Sequence, residues 1–408
     1  MRHDRWVRAI AGAGIALIFS ACGGSSSPEA GASAPGITKD TITLGLQAGL
    51  TGNAFVGLGG RMGAELAISE INKHGGVNGR KIKLVVEDDS NTSDGGVLAV
   101  RKLVQEDTAF VILNSSSSDA TLAALNFAQT AKTPEIVTAA VDPRVLNPFR
   151  KYIFLGSGVP AATAAQFYTD FLSKTLKASS VSLVVQDLAY ANSLKVILAD
   201  LLSKAGVRVA TNQTFSSNDT DFTAQIQAVK NANAPVLFTI GQPSQTVKII
   251  IQARRSGVSS QIMADQNNAD LQFPSLGGTN VEGAYTFWIS GTQFLGDNTG
   301  AMGTWRAAFS AANPNPPPNF PNQFSLQAYA DTYTIAEAIR RAGANPTRDS
   351  FVAAMESIKD FVAGKDSYFN YAEPVMMPHS FSPTDHQGNH SMQPVQVKNG
   401  AFISVKGT

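Results

Sequence analysis

Short apolar runs alternate with amphipathic stretches along most of this chain. Ile42, Leu44 and Leu46 interleave with Thr43, Gly45 and Gln47, the period of two that marks a strand. Ala64, Ala67, Ile68 and Ile71 then recur at helical spacing, and Gly75 with Gly76 stops that helix. Gly57, Gly59, Gly60 and Gly63 fall between the two and read as turn geometry. Strands are predicted at 81–86, 110–113 and 136–140, with helices around Val97, Val100 and Val104 and over 121–131. After a helix at 162–176 the rhythm restarts, with strands at 181–186, 207–210, 236–240 and 261–264 and helices at 192–205, 221–232 and 244–256. Such alternation builds a parallel sheet covered on both faces. Two units in series predict an α/β fold of two doubly wound parallel-sheet lobes.

Near Tyr285 the rhythm changes to a strand at 285–289 and a helix at 301–312. The run Asn313-Pro314-Asn315-Pro316-Pro317-Pro318 cannot be helical and reads as an extended surface loop. Helices at 325–342 and 349–358 follow, and strands at 395–397 and 401–405 form a closing hairpin.

The N-terminus follows a different pattern. Arg2, Arg5 and Arg8 precede an apolar stretch at 9–19, and small residues lead to Cys22, the single cysteine of 408 residues. These are the parts of an export signal, too short to span a bilayer. The segment resembles the bacterial lipoprotein signal, whose cysteine is lipidated and becomes the mature N-terminus, although Phe19 stands where Leu is usual. The expectation is a signal peptide over 1–21, lipid attachment at Cys22 and a flexible Gly/Ser/Ala-rich tether over 22–37. The body would be exported and anchored at the membrane surface, facing the periplasm or the exterior. With 43% hydrophobic and 15% charged residues it has ample core material, and its length suits two cores better than one. A net charge of +1 with no dense Lys/Arg block supplies no case for nucleic acid. One cysteine allows neither a disulfide framework nor a cysteine metal site.

The most informative local feature is Asn114 followed by Ser115, Ser116, Ser117 and Ser118, directly after a strand and before a helix. Hydroxyls and free N–H groups at a helix N-terminus suit a carboxylate, whereas plain capping needs a single serine. The glycines at 57–63 are spaced GxGxxxG, without the Lys of a phosphate loop, so a nucleotide reading fails. Glu87-Asp88-Asp89 reads as a solvated strand end. His379, His386 and His390 read as turn histidines, because Pro383, Gly388 and Asn389 forbid the helix that would align them. There is no GxSxG elbow and no evident acid/base pair. No cofactor, metal or catalytic residue is expected.

The segments Gly63-Ala64-Glu65-Leu66-Ala67 and Ile71-Asn72-Lys73-His74-Gly75-Gly76-Val77-Asn78-Gly79-Arg80-Lys81-Ile82 resemble the branched-chain amino acid (leucine/isoleucine/valine) binding proteins. These are type I periplasmic binding proteins, the solute-binding subunits of ABC importers. Glu87-Asp88-Asp89, the serine run, Asp187 with Tyr190, Asp221-Phe222, Gln252-Ala253-Arg254 and the tail from Phe381 to Gly400 agree in order. The resemblance implies two lobes joined by three crossovers near 158, 288 and 372, with 38–158 plus 289–371 as one lobe and 159–288 plus 372–408 as the other. It implies that Ser117, with Ser116 beside it, holds a ligand carboxylate, and that Ala139 and Ala140 offer backbone contacts. Phe55 and Tyr190 would be aromatic walls, with Gln242 and Gln266 across the cleft. Gln266 stands where amino-acid-binding members have a Glu that holds the ligand ammonium, and Val141 and Gln242 also depart from the pattern. A carboxylate lacking the amine, or an amide, therefore fits at least as well as an amino acid. The implied partners are a small solute, permease subunits with a cytoplasmic ATPase, and the membrane through the lipid; the chain would act as a monomer and not as an enzyme. The competing readings are a ligand sensor of the same fold and an exported two-domain enzyme.

Overall fold

A computed structural model describes residues 34–52, 54–291 and 293–405. The expected signal peptide, Cys22 and most of the tether lie outside the described residues. The last tether positions are part of the body instead: Ile37 is buried, and Gly36 takes φ +81° where a side chain would strike the Phe110 backbone.

The first sheet is built from β1 (Thr41–Ala48), β2 (Lys81–Asp88), β3 (Val111–Ser115), β4 (Glu135–Val137) and β5 (Ile153–Leu155), all parallel in the order β2-β1-β3-β4-β5. Its connecting helices are α1 (Phe55–Lys73), α2 (Ser93–Gln105) and α3 (Ser118–Thr130). After α4 (Ala161–Asp170) the second sheet starts with β6 (Ser180–Gln186), α5 (Ala189–Lys204), β7 (Arg208–Phe215), α6 (Thr223–Ala232), β8 (Val236–Ile240), α7 (Pro243–Arg255) and β9 (Gln261–Ala264). Then come α8 (Gln272–Gly277), β10 (Tyr285–Trp288), α9 (Gly300–Ala312), α10 (Gln323–Arg341), α11 (Arg348–Glu356) and the hairpin β11 (Gln393–Lys398) and β12 (Ala401–Ser404). The second sheet runs β12-β11-β10-β9-β8-β6-β7, parallel from β10 to β7, with the hairpin antiparallel at its edge.

Burial explains the strand patterns. The central strands β3, β6 and β8 are buried at every position, whereas the edge strands β2 and β7 are partly exposed. A parallel sheet covered on both faces produces this contrast. Helix starts are set by side chains: Thr92 caps α2, Ser117 caps α3, and Asn322 and Thr347 form capping boxes on α10 and α11.

Three expectations need correction. Gly57, Gly59, Gly60 and Gly63 lie inside α1 rather than in a turn. A Cβ on them would run into the Gly49 backbone, Asn322, Ser115 and the Ser325 carbonyl respectively. The glycines let α1 lie against the end of β3 and the start of α10. The predicted strand at 136–140 stops at Val137, because Thr138 turns to donate from Oγ1 to Asp331 Oδ2 (2.7 Å). The third crossover falls well after 372. His386 and Gly388 still bond to Leu155 at the edge of the first sheet (Leu155 N–H to His386 O, 2.9 Å; Gly388 N–H to Leu155 O, 2.7 Å), so the chain passes to β11 only beyond Asn389.

Asn389 fastens the crossovers together. Its buried side-chain amide donates to the carbonyls of Ser157 (3.0 Å) and Ile289 (2.9 Å), and its Oδ1 accepts from Ser391 N–H (2.9 Å).

Candidate functional site

The carboxyl ends of the two sheets face each other across a cavity of about 210 Å³, the position where open α/β sheets leave a crevice. The first lobe supplies Ser116, Ser117, Ser118 and Asp119 beyond β3, Ala139 and Val141 beyond β4, and Asn91, Val56 and Phe324. The second supplies Gln186, Leu188 and Tyr190 around the end of β6, Ser217 beyond β7, Gln242 beyond β8 and Asn267 beyond β9. A space of this size holds several waters and suits a small solute.

The serine loop is held from beneath. Asn114 Oδ1 accepts from Ser116 N–H (3.1 Å) and Thr121 Oγ1 (3.2 Å), while its Nδ2 donates to Gln47 Oε1 (2.8 Å) and Glu135 Oε1 (2.7 Å). Gln47 in turn donates to Asp89 (2.8 Å). Full burial pushes the Glu135 carboxyl up to about 7. Ser117 spends its hydroxyl locally, accepting from Ala120 N–H (3.3 Å) and donating to the Asn91 carbonyl (3.4 Å). Ser116 differs: it is 1% exposed and its Oγ has no partner among the described residues. A buried hydroxyl without a partner costs free energy that a bound acceptor would recover.

Across the cavity, Gln242 uses its backbone N–H on Gln186 Oε1 (2.7 Å), and Gln186 Nε2 reaches Ser217 Oγ (3.0 Å). The Gln242 side-chain Oε1 is buried without a donor among the described residues. Tyr190 closes one wall, its OH on Asp265 Oδ2 (3.3 Å). Asp265 itself is fully buried behind the wall. It also accepts from Asn267 Nδ2 (3.0 Å), Asn268 Nδ2 (2.6 Å) and Gly241 N–H (3.3 Å), and burial pushes its carboxyl up to about 7.

Of the residues expected from sequence, Ser116, Ser117, Ala139, Tyr190 and Gln242 meet at the cavity, and three do not. Gln266 turns away: its Nε2 donates to the Val159 carbonyl (2.9 Å) and its N–H to Tyr168 OH (2.9 Å), leaving Asn267 on the cavity wall. A three-residue turn at Gln266–Asn268 breaks the strand alternation just there, so parity along β9 cannot identify the inward residue. Ala140 is packed into the core of the first lobe beside Val137 and Ala124. Phe55 sits outside the wall, edge-on to Phe324 with centroids 5.8 Å apart, and Phe324 and Val56 face the cavity instead. Phe324, Asn267, Gln186 and Ser217 were not anticipated. Gln186 carried a usable signal, since it ends a recognisable strand, whereas Ser217 did not, because the strand before it was expected to end at 210 and runs on to Phe215.

The lobes also touch outside the cavity lining. Ser193 Oγ on α5 donates to Asp142 Oδ2 (2.7 Å), and Arg144 grips the same carboxylate (2.9 Å). Burial acts to raise the Asp142 pKa, but the bonds from Arg144 and Ser193 outweigh it and hold the carboxyl below its ordinary value.

Two α/β lobes, three crossovers and a small polar-and-apolar cavity at facing strand ends define a two-lobed binding protein of the type I periplasmic class. The chain belongs to the Periplasmic binding protein family, which matches residues 41–401. Among relatives, the leucine-, isoleucine-, valine-, threonine- and alanine-binding protein of Pseudomonas aeruginosa is 25% identical over 315 residues, covering 77% of this chain and 82% of its own. The Leu/Ile/Val-binding protein homolog 3 of Brucella melitensis is 26% identical over 323 residues, covering 77% and 82%. Among solved structures, the branched-chain amino acid transporter substrate-binding protein LivJ of Streptococcus pneumoniae, in complex with isoleucine, superposes with a TM-score of 0.74 at 21% identity, covering 89% of this chain and 98% of its own. A solute-binding protein of an ABC transporter from R. palustris, in complex with benzoate, gives 0.75 at 16% identity, covering 90% and 95%. These structures establish the fold. Family members bind small-molecule solutes and work with ABC transporters, and membership implies an extracytoplasmic location.

Proposed function

We propose that this chain is the solute-capturing subunit of an ABC importer, held at the outer face of a membrane through lipid on Cys22. The single observation that carries this reading is the cavity, which draws its lining from both lobes and from the carboxyl ends of both sheets. A solute there touches both halves at once, so its binding energy is released in full only when the halves meet. Closure then follows as a population shift toward the form the solute binds better.

In this reading Ser116 Oγ, the free N–H groups beginning α3 and the backbone at Ala139 hold an acidic end. Gln242 and Asn267 meet the opposite end, and Val56, Val141, Leu188, Tyr190 and Phe324 exclude water. Asp142, Ser193 and Arg144 add to the closed form without touching the solute. No bond in the solute is made or broken. The test is uptake: cells lacking this chain should lose accumulation of a labelled solute that the purified protein binds, and regain it with the wild type but not with Cys22→Ala. Unchanged uptake without the chain would overturn the transport reading.

A further inference from the structure

We infer that the cavity is selective for small carboxylates that carry no amino group: monoanions with an apolar body and a neutral far end. This rests on the solute-capture reading above and names the class of solute.

The first observation is the arrangement of helix ends. Three long helices, α3, α5 and α7, begin at the cavity, through Ser117 and Ser118, through Leu188 and Tyr190, and through Gln242. Each N-terminus carries a partial positive charge that attracts anions and repels an ammonium group. The second is independent of the helices. Ser116 Oγ is buried in the cavity wall with no partner among the described residues, and it can donate one hydrogen bond to a carboxylate.

The third observation concerns the counter-charge that an amino acid would need for its ammonium, which stands on the carbon next to its carboxylate. Among the described residues lining the cavity the one carboxylate is Asp119, which is exposed to solvent and near enough to the Arg144 guanidinium for the two charges to interact, so it is a poor partner for a buried ammonium. Across from it stand the neutral amides of Gln242 and Asn267. Asp265 is no substitute, because Tyr190, Asn267, Asn268 and Gly241 occupy its oxygens behind the wall. An ammonium in the cavity would have no buried anionic partner and three positive helix ends around it, a costly arrangement. A methylene, hydroxyl, oxo or amide group in its place is neutral and can use the free Gln242 amide oxygen or simply pack.

Matched pairs differing only in the amine test this on the full chain by titration calorimetry: L-leucine against isocaproate, L-valine against isovalerate, and L-phenylalanine against hydrocinnamate, with benzoate alongside. The amine-free member should bind about 30-fold tighter or better in at least one pair. Asn267→Glu should reverse the order, gaining the amino acid and losing the acid. An amino acid that binds tighter than its amine-free partner in wild type overturns the class while leaving solute capture intact. No binding by any member at millimolar concentration also overturns the class, and the uptake assay then judges solute capture separately.

Discussion

Replacing Asn389 with alanine tests whether the crossovers are tied together as the geometry says. The substitution removes two donated bonds, to the Ser157 and Ile289 carbonyls, and the acceptor of Ser391 N–H. Asn389 is fully buried, so water cannot freely replace these partners. At about 1–3 kcal/mol for each buried group left unsatisfied, with partial relaxation, the loss should total about 3–5 kcal/mol. With a urea dependence of about 3 kcal/mol per molar, the unfolding midpoint should fall by about 1 M or more. Asn389→Asp should be at least as damaging, since it keeps the shape but turns a carboxylate toward two carbonyls. The assay is equilibrium urea unfolding followed by circular dichroism and by tryptophan fluorescence, with Trp288 buried one residue from Ile289 as a local reporter. A midpoint within about 0.2 M of wild type for Asn389→Ala would refute the idea that this side chain pins the crossovers.

Other outcomes follow from packing, latch and charge. Gly63→Ala should lose about 1–2 kcal/mol despite alanine's helical preference, because its Cβ meets the Ser325 carbonyl, a backbone group that cannot swing aside; the same urea titration reads it. Ser193→Ala should weaken solute binding about fivefold without touching the cavity, since the closed form loses its bond to Asp142, and calorimetry with the tightest-binding acid checks it. Stability should rise as pH is lowered from 8 toward about 5.5, read as melting temperature. Burial raises Glu135, Asp265, Asp270 and Asp331 to about 7, so the folded state keeps protons that the unfolded chain has released. Their stabilisation is complete below the ordinary carboxylate range and is lost as pH climbs through about 7. His379, depressed to about 4 by burial, opposes this as a single group, and a melting temperature that fell steadily from pH 8 to 5.5 would contradict the balance.

Much of this architecture was legible in the sequence because central strands and amphipathic helices announce themselves by period. The strands at 236–240 and 261–264 were read to the residue. β5 escaped because three residues, Ile153 to Leu155, carry no usable period. The glycines of α1 misled because a low helical propensity argues for a turn, whereas here the missing side chains admit Ser115 and Ser325. The serine loop could be read from strand, hydroxyls and helix in succession. The second lobe's contribution could not be read as well, since Asn267 replaces Gln266 only through a three-residue turn. Phe324 was out of reach for another reason: it enters from α10, more than two hundred residues beyond the serines it faces.

The most direct test of the account is a crystal structure of the chain grown with isocaproate. The account predicts one unaltered molecule in the cavity between the lobes, its carboxylate within hydrogen-bond reach of Ser116 Oγ at the start of α3 and its apolar end toward Tyr190 and Phe324. Density for the acid elsewhere on the protein, a reversed orientation with the carboxylate at Asn267, or a chemically changed solute would contradict it.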